Sequence, residues 1–204
     1  MTWPRIASIC CALLGVFLPF GAQSLSTCEI PADVLTGRSL SETRKIVEGE
    51  VVFVADAQLH DFEGRTISIV GLVKARALHD AVGCVAIAAK SLDTGISRRN
   101  QIMWENHLEV VEFPEIRFVL TGIADVRKEP ERIGLILEGE LMLHGVRRRL
   151  RIPATLSSVD GMFTVAGRTT LRMSDHAIER PSFLFITVKD EVEVRFRVVV
   201  GEAE

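Results

Sequence analysis

The sequence lacks the short motifs that usually mark a catalytic or nucleotide-binding site. No Gly-x-Ser-x-Gly elbow presents a nucleophile, and no Walker-type glycine loop is there to cradle phosphates. The five histidines, His60, His79, His107, His144 and His176, never fall at i, i+2 or i, i+4, the spacings that bring ligands to one metal from a strand or a helix. The pattern therefore calls for no metal, no cofactor and no catalytic residue. Net charge is −3 over 204 residues, which excludes a global basic field for nucleic acid. There are no internal repeats and no low-complexity tracts. Beyond the first two dozen residues no apolar run is long and unbroken enough to span a membrane. Cysteine is scarce, with four in all, and Cys10 and Cys11 stand in the first apolar run.

What is present at the N-terminus is a leader pattern. In "MTWPRIASICCALLGVFLPFGAQS" Arg5 precedes an apolar run from Ile6 to Phe20, which Pro19 and Gly21 break. Ala22-Gln23-Ser24 then sets small residues where a signal peptidase reads. Residues 1–24 are expected to be a secretory signal peptide cleaved after Ser24, with no stable membrane insertion afterwards. Cleavage leaves Cys28 and Cys84, an even pair in an oxidising compartment. The sequence leaves open whether they form a disulfide or remain two thiols, with Cys84 buried as a small hydrophobe. Residues 25–45 are polar and turn-rich and read as an arm. Residues 46–204 read as one folded domain, in keeping with 48% hydrophobic and 25% charged residues in the whole chain.

From residue 46 the dominant period is two. "TISIVGLVKARAL" places Ile67, Ile69, Gly71, Val73, Ala75 and Ala77 on one face, and "LILEGELML" does the same for Leu135, Leu137, Gly139, Leu141 and Leu143. The last strand is the cleanest: Val192, Val194, Phe196, Val198 and Val200 alternate with Glu191, Glu193, Arg195 and Arg197. Similar runs lie near residues 49–58, 84–90, 115–127, 146–156 and 162–173, separated by turns at Asp61–Gly64, Lys128–Glu131, His144-Gly145 and Asp160-Gly161. One apolar and one solvated face per strand predicts an all-β fold, a closed antiparallel barrel of about eight strands, since closure removes exposed edges. Any strand edge left uncovered would allow pairing into a homodimer. One short helix is expected from near Ser97, with Ile96, Met103 and His107 on one side, flanking or capping the barrel.

The inward faces combine small residues (Gly71, Ala75, Ala77, Gly139, Ala154, Gly167) with apolar walls: Phe53, Ile67, Ile69, Phe118, Leu135, Leu137, Leu141, Leu150, Ile152, Phe163, Val165 and Phe196. Two readings follow. Small residues leave room for an elongated lipid pocket, or the same residues pack into a filled core in which glycines mark strand bends.

The segment "LEGELMLHGVRRRLRIPATL" resembles the signature hairpin of the YceI-like, polyisoprenoid-binding family, with Gly139, Leu141, His144, Gly145, Val146 and Arg148 on matching positions. It departs at Met142, Arg147 and Arg149, the last standing where the family has proline. "EFPEIRF" is similar to the family's aromatic-pro-x-ile-x-phe block through Phe113, Pro114, Ile116 and Phe118. "RMSDHAIERPSF" resembles its arg-ser-asp-phe-gly-ile turn at Ser174, Asp175 and Ile178, departing at Met173, His176 and Ala177. "VKDEVEV" is similar to its closing strand at Val188, Asp190, Glu191 and Val192, and "LHDFEG" to its early phe-x-gly turn. The resemblance spans residues 46–200. It implies a lipocalin-like barrel in the periplasm, with no known catalytic residues, that holds an isoprenoid or similar long-chain amphiphile in an apolar interior.

Two alternatives stay open beside the carrier. One is an enzyme acting on a lipid or quinone-like ring, with His144 or His176 as acid/base. The other is a ligand-free envelope-stress or interaction module. A Ser174/Asp175/His176 hydrolase is disfavoured because residues adjacent along a turn do not converge on one substrate. Alternation also sorts the arginines after the hairpin. Arg147, Arg149 and Arg151 form an outer stripe facing Glu138 and Glu140, whereas Arg148 points inward at the rim, where with His144 it is a candidate for a ligand's polar head.

Overall fold

The computed structural model describes residues 28–40, 42–57, 61–183 and 186–202. The expected leader, the first residues of the arm and His60 lie outside these. After a one-turn helix α1 (Ala32–Leu35) come β1 (Glu42–Ala57), β2 (Phe62–Thr66), β3 (Ile69–Ala75) and β4 (Val82–Ala88). Helix α2 (Ser97–Ile102) continues as a π-helical turn, Met103–His107. Then follow β5 (Glu115–Lys128), β6 (Ile133–Leu143), β7 (Val146–Val159), β8 (Met162–Arg172), a 3₁₀ turn at Met173–His176, β9 (Ser182–Phe183) and β10 (Ile186–Glu202).

The sheet runs β2-β1-β3-β4-β5-β6-β7-β8-β10-β9, and pairing of β1 with β10 closes it. Eight antiparallel strands, β1, β3 to β8 and β10, thus form the barrel, with α2 flanking one end. The β6–β7 and β7–β8 hairpins turn on His144-Gly145 (φ 51° and 70°) and Asp160-Gly161 (φ 49° and 78°). Two-residue loops with both φ values positive match the twist of the flanking strands, and glycine takes the second position without strain.

Several expectations are corrected. Residues 66–78 do not form one strand. The Thr66 hydroxyl accepts from the Ser68 amide at 3.0 Å, and Ile69 N–H bonds Ile67 O, so the chain kinks between β2 and β3. That kink turns Ile67 out to 77% exposure, off the inner face. The supposed turn at Asp61–Gly64 is mostly strand, with Phe62 to Gly64 in β2 and Gly64 opposite Phe53. Ile96 precedes α2 and is exposed rather than packed.

The arm also carries core. Val82, Cys84 and Ala86 face out of the barrel yet are buried, because Cys28 and Ile30 pack on them, with Val34, Leu35 and Leu40 alongside. Cys28 and Cys84 are joined as a disulfide, their Cα atoms 5.6 Å apart. The outer arginine stripe pairs as its alternation predicts: Arg147 and Arg149 with Glu140 at 3.4 and 3.5 Å, and Arg151 with Glu138 at 3.3 Å. These pairs are exposed and worth no more than about 1 kcal/mol each.

Candidate functional site

The barrel is not filled. A cavity of about 740 Å³ runs along its interior, lined almost wholly by apolar side chains from every barrel strand. Its volume lies within the roughly 300–1,000 Å³ usual for small-molecule pockets. Along β10 the lining extends from Val188 to Val200, which at about 3.3 Å per residue and a tilt of about 40° gives a lumen roughly 30 Å long. One end is covered by Ile102 and Met103 from the helix, Met173 from the 3₁₀ turn, and Ile178. The other holds Glu42, Arg44, Arg76 and Leu78.

Ten of the fourteen expected ligand-binding residues line this cavity: Phe53, Phe118, Leu135, Leu137, Leu141, Leu150, Ile152, Phe163, Val165 and Phe196. Four do not. Ile67 is in solvent. Ile69 packs beside Gly49, where an added Cβ would stand 3.0 Å from both Ile69 Cδ1 and Val198 Cγ1. His144 and Arg148 are engaged outside the lumen. His144 lies 4.4 Å from the Phe113 ring centroid, its Nε2 is 2.8 Å from Glu109 Oε2, and its Nδ1 is 3.1 Å from the His176 carbonyl. Arg148 Nε donates to the Asp175 carbonyl at 2.9 Å, so it fastens the 3₁₀ turn rather than offering charge to a ligand.

The same turn accounts for His176. Its side chain is 1% exposed, with Nδ1 3.3 Å from Val146 O. Burial holds its pKa below the usual 6.5, against weaker opposing bonds from the Val146 and Leu143 backbone. Neither His144 nor His176 lines the cavity. Among the described residues no group of three or more His, Cys, Asp or Glu could hold a metal ion. No helix there is long and apolar enough to cross a membrane.

The small inward residues leave room in a different way from that expected. A Cβ added at Gly64 would collide with the Phe53 ring, one at Gly139 would lie 2.5 Å from Phe118 Cζ, and one at Gly167 2.8 Å from Phe196 Cζ. In each case a phenyl ring lies over the glycine. The ring fills the wall where a side chain is missing, and all three rings line the cavity.

Reading residues 25–45 as an arm missed the charged end of the lumen, because β1 begins at Glu42. Glu42, Arg44 and Ile46 line it at even positions, but Val51, Phe53 and Ala55 do so at odd ones, because a bulge between Ile46 and Glu48 shifts the register. Likewise β5 turns in Phe118 and Leu120, then Ile123 after a bulge at Leu120/Gly122. An unbroken apolar run that changes parity was the one available signal.

Residues 44–200 match the YceI-like domain. Among solved structures the chain is similar to BcnA of Burkholderia cenocepacia, with 20% identity, a TM-score of 0.62, and coverage of 74% of this chain and 95% of that one. It is also similar to a polyisoprenoid binding domain from Saccharophagus degradans implicated in plant cell wall breakdown. There the identity is 16%, the TM-score 0.64, and the coverage 81% and 100%. At these identities the likeness is one of fold. No curated protein matches the chain.

Proposed function

The chain belongs to the YceI-like family, and we propose that it is a periplasmic carrier holding a polyisoprenoid, or an amphiphile of similar length, in its lumen. The family is one of non-catalytic lipid carriers. The observation that carries the finer reading is the shape of the cavity. A roughly 30 Å apolar channel matches the full hydrocarbon thickness of a bilayer, about twice the reach of one leaflet. A chain longer than an ordinary acyl tail is therefore the best match, and burying it supplies about 25 cal/mol per Å² of apolar surface. The Saccharophagus degradans domain, described as polyisoprenoid binding, supports this choice of cargo by analogy of fold.

Export rests on the leader pattern of residues 1–24 and on the buried Cys28–Cys84 pair, which suits an oxidising compartment. Sequencing the N-terminus of the mature protein from the periplasm is expected to begin at Leu25. Organic extraction of natively purified protein followed by mass spectrometry is expected to release a long-chain lipid. A blank extract, with no binding of fluorescent or isoprenoid probes, would sink the carrier reading and favour a ligand-free module.

A further inference from the structure

The charged end of the lumen has an arrangement that the apolar walls do not explain. Five charged side chains line the cavity: Glu42, Arg44 and Arg76 at this end, Arg99 and Arg172 at the other. The two arginines at the other end are committed. Arg99 donates to Thr94 Oγ1 at 2.9 Å and to Thr94 O at 2.7 Å and lies 4.6 Å over the Phe62 ring, while Arg172 pairs with Glu191 at 3.2 Å. Both belong to the end covered by the helix and the 3₁₀ turn.

At the opposite end β1 begins, β3 finishes and the β7–β8 hairpin turns. Glu42 and Arg44 stand across from Ala75 and Val73. Arg44 donates to Gly161 O at 3.1 Å, lies 4.9 Å over the Phe163 ring and is 3.5 Å from Glu42, whose side chain is 66% exposed; its own is only 21% exposed. Two other acids stand at this end: Glu202, the cross-strand partner of Arg44 on β10, and Asp80, whose Oδ1 is occupied by the Arg76 and Ala77 amides at 3.0 and 2.8 Å. The Arg76 guanidinium has no hydrogen-bond or ion-pair partner among the described residues.

We infer that this end binds the anionic, phosphate-type head of the carried lipid, with Arg76 as its principal contact and Arg44 beneath it. The inference rests on the carrier reading above. A guanidinium offers a planar pair of N–H donors that fits phosphate oxygens bidentately. Here it stands at the rim of an apolar channel, where thinner water strengthens the attraction. A half-buried Arg44 paired only to an exposed carboxylate adds positive potential at the same place. The tail enters the lumen and the head stays at the rim, so head and tail are recognised by different chemistry.

The test compares ligands of one tail length on the purified secreted protein: geranylgeranyl monophosphate, geranylgeraniol, and inorganic phosphate as a competitor. The phosphate is expected to bind about tenfold or more tighter than the alcohol, the scale of one charge-assisted hydrogen bond. That preference should shrink with added salt. Arg76→Gln should bring the ratio close to one, and Arg76→Lys should keep part of it. Arg76 is exposed, so these variants are expected to fold. Equal affinity for phosphate and alcohol would overturn the inference and leave the carrier standing. Inorganic phosphate displacing the lipid as well as the lipid phosphate itself would also overturn it. Binding of neither lipid would remove the carrier reading instead.

Discussion

Ser174 donates twice to Asp190, from its backbone amide to Oδ1 at 2.9 Å and from its hydroxyl to Oδ2 at 2.5 Å. This ties the 3₁₀ turn Met173–His176 to β10 at the covered end of the lumen, while Arg148 holds the same turn from β7. The hydroxyl bond foremost, then the amide bond, keeps the Asp190 carboxyl below its ordinary 3.8. A lowered carboxylate pKa gives stability that is present above 3.8 and is lost as pH falls through the folded value. Asp190→Ala is expected to lower Tm slightly at neutral pH and to speed hydrogen exchange at Ala177 and Ile178. An unchanged exchange pattern would mean that Arg148 alone holds the turn.

His176 acts in a higher pH window and with the same sign. Its folded pKa is lowered by burial, so between that value and 6.5 the unfolded chain binds more protons. The stabilisation is complete above 6.5 and declines as pH falls below it. Arg148 adds to the lowering, and Asp175 opposes it weakly. A thermal-melting series from about pH 7.5 to 5 should show a falling Tm, with a shallower slope in His176→Gln. Parallel slopes would mean that other groups set the acid sensitivity.

Gly167 tests the packing of rings over glycines. An added Cβ would sit 2.7 Å from Pro153 O and 2.8 Å from Phe196 Cζ. Gly167→Ala should therefore cost about 1–3 kcal/mol as an overpacked wall and turn the Phe196 ring into the lumen. Both Tm and lipid affinity fall in this account. Adding Phe196→Leu should restore part of the affinity, and failure of that rescue would place the damage at Pro153.

The barrel was legible because most of its strands bury one face only, so Val192 to Val200 and Leu135 to Leu143 declare inside and outside by alternation. The lumen walls followed from the same rule. It failed where the backbone departs from a regular pleat. The bulges at Ile46/Glu48 and Leu120/Gly122 change which parity faces in, and the Thr66–Ser68 bond expels Ile67. Glu42 and Arg44 went unseen because residues 25–45 read as an arm although β1 begins at Glu42, and Arg76 because it lies in the bend after β3. Strand β4 misled differently: it is buried on both faces, and nothing in "VGCVAIA" reveals that a distant arm covers the outer one. His144 and Arg148 were placed by strand position alone, which does not foresee the 3₁₀ turn that engages them.

Leu137 distinguishes an occupied lumen from a merely hollow one. It is 9% exposed and packs with Leu135, Ile152 and Leu120 along the cavity. Leu137→Asp should abolish lipid binding, since a carboxylate there meets neither water nor a partner, but it also threatens folding. Val165→Phe is the gentler variant. It adds apolar volume to the lumen and is expected to keep the fold while weakening a long-chain lipid about tenfold or more, about 1.4 kcal/mol. Full affinity in Val165→Phe, measured by displacement of a fluorescent fatty probe, would mean that the tail does not reach this part of the channel.

The Cys28–Cys84 bridge closes a loop with a sequence separation of 56 and fixes the arm to the outside of β4. On the chain-entropy account a loop of that length stabilises by about 4 kcal/mol. For a domain of this size the loss corresponds to roughly 10 °C in Tm. Cys28→Ser should show that drop. It should also open the arm to proteolysis before the barrel, because the arm's apolar residues Ile30, Val34 and Leu35 are held mainly by this anchor and the β4 face. The oxidised mature protein should yield no reactive thiol on unfolding until a reductant is added. Two thiols reacting without reductant would remove the bridge, and the arm would then owe its place to packing alone.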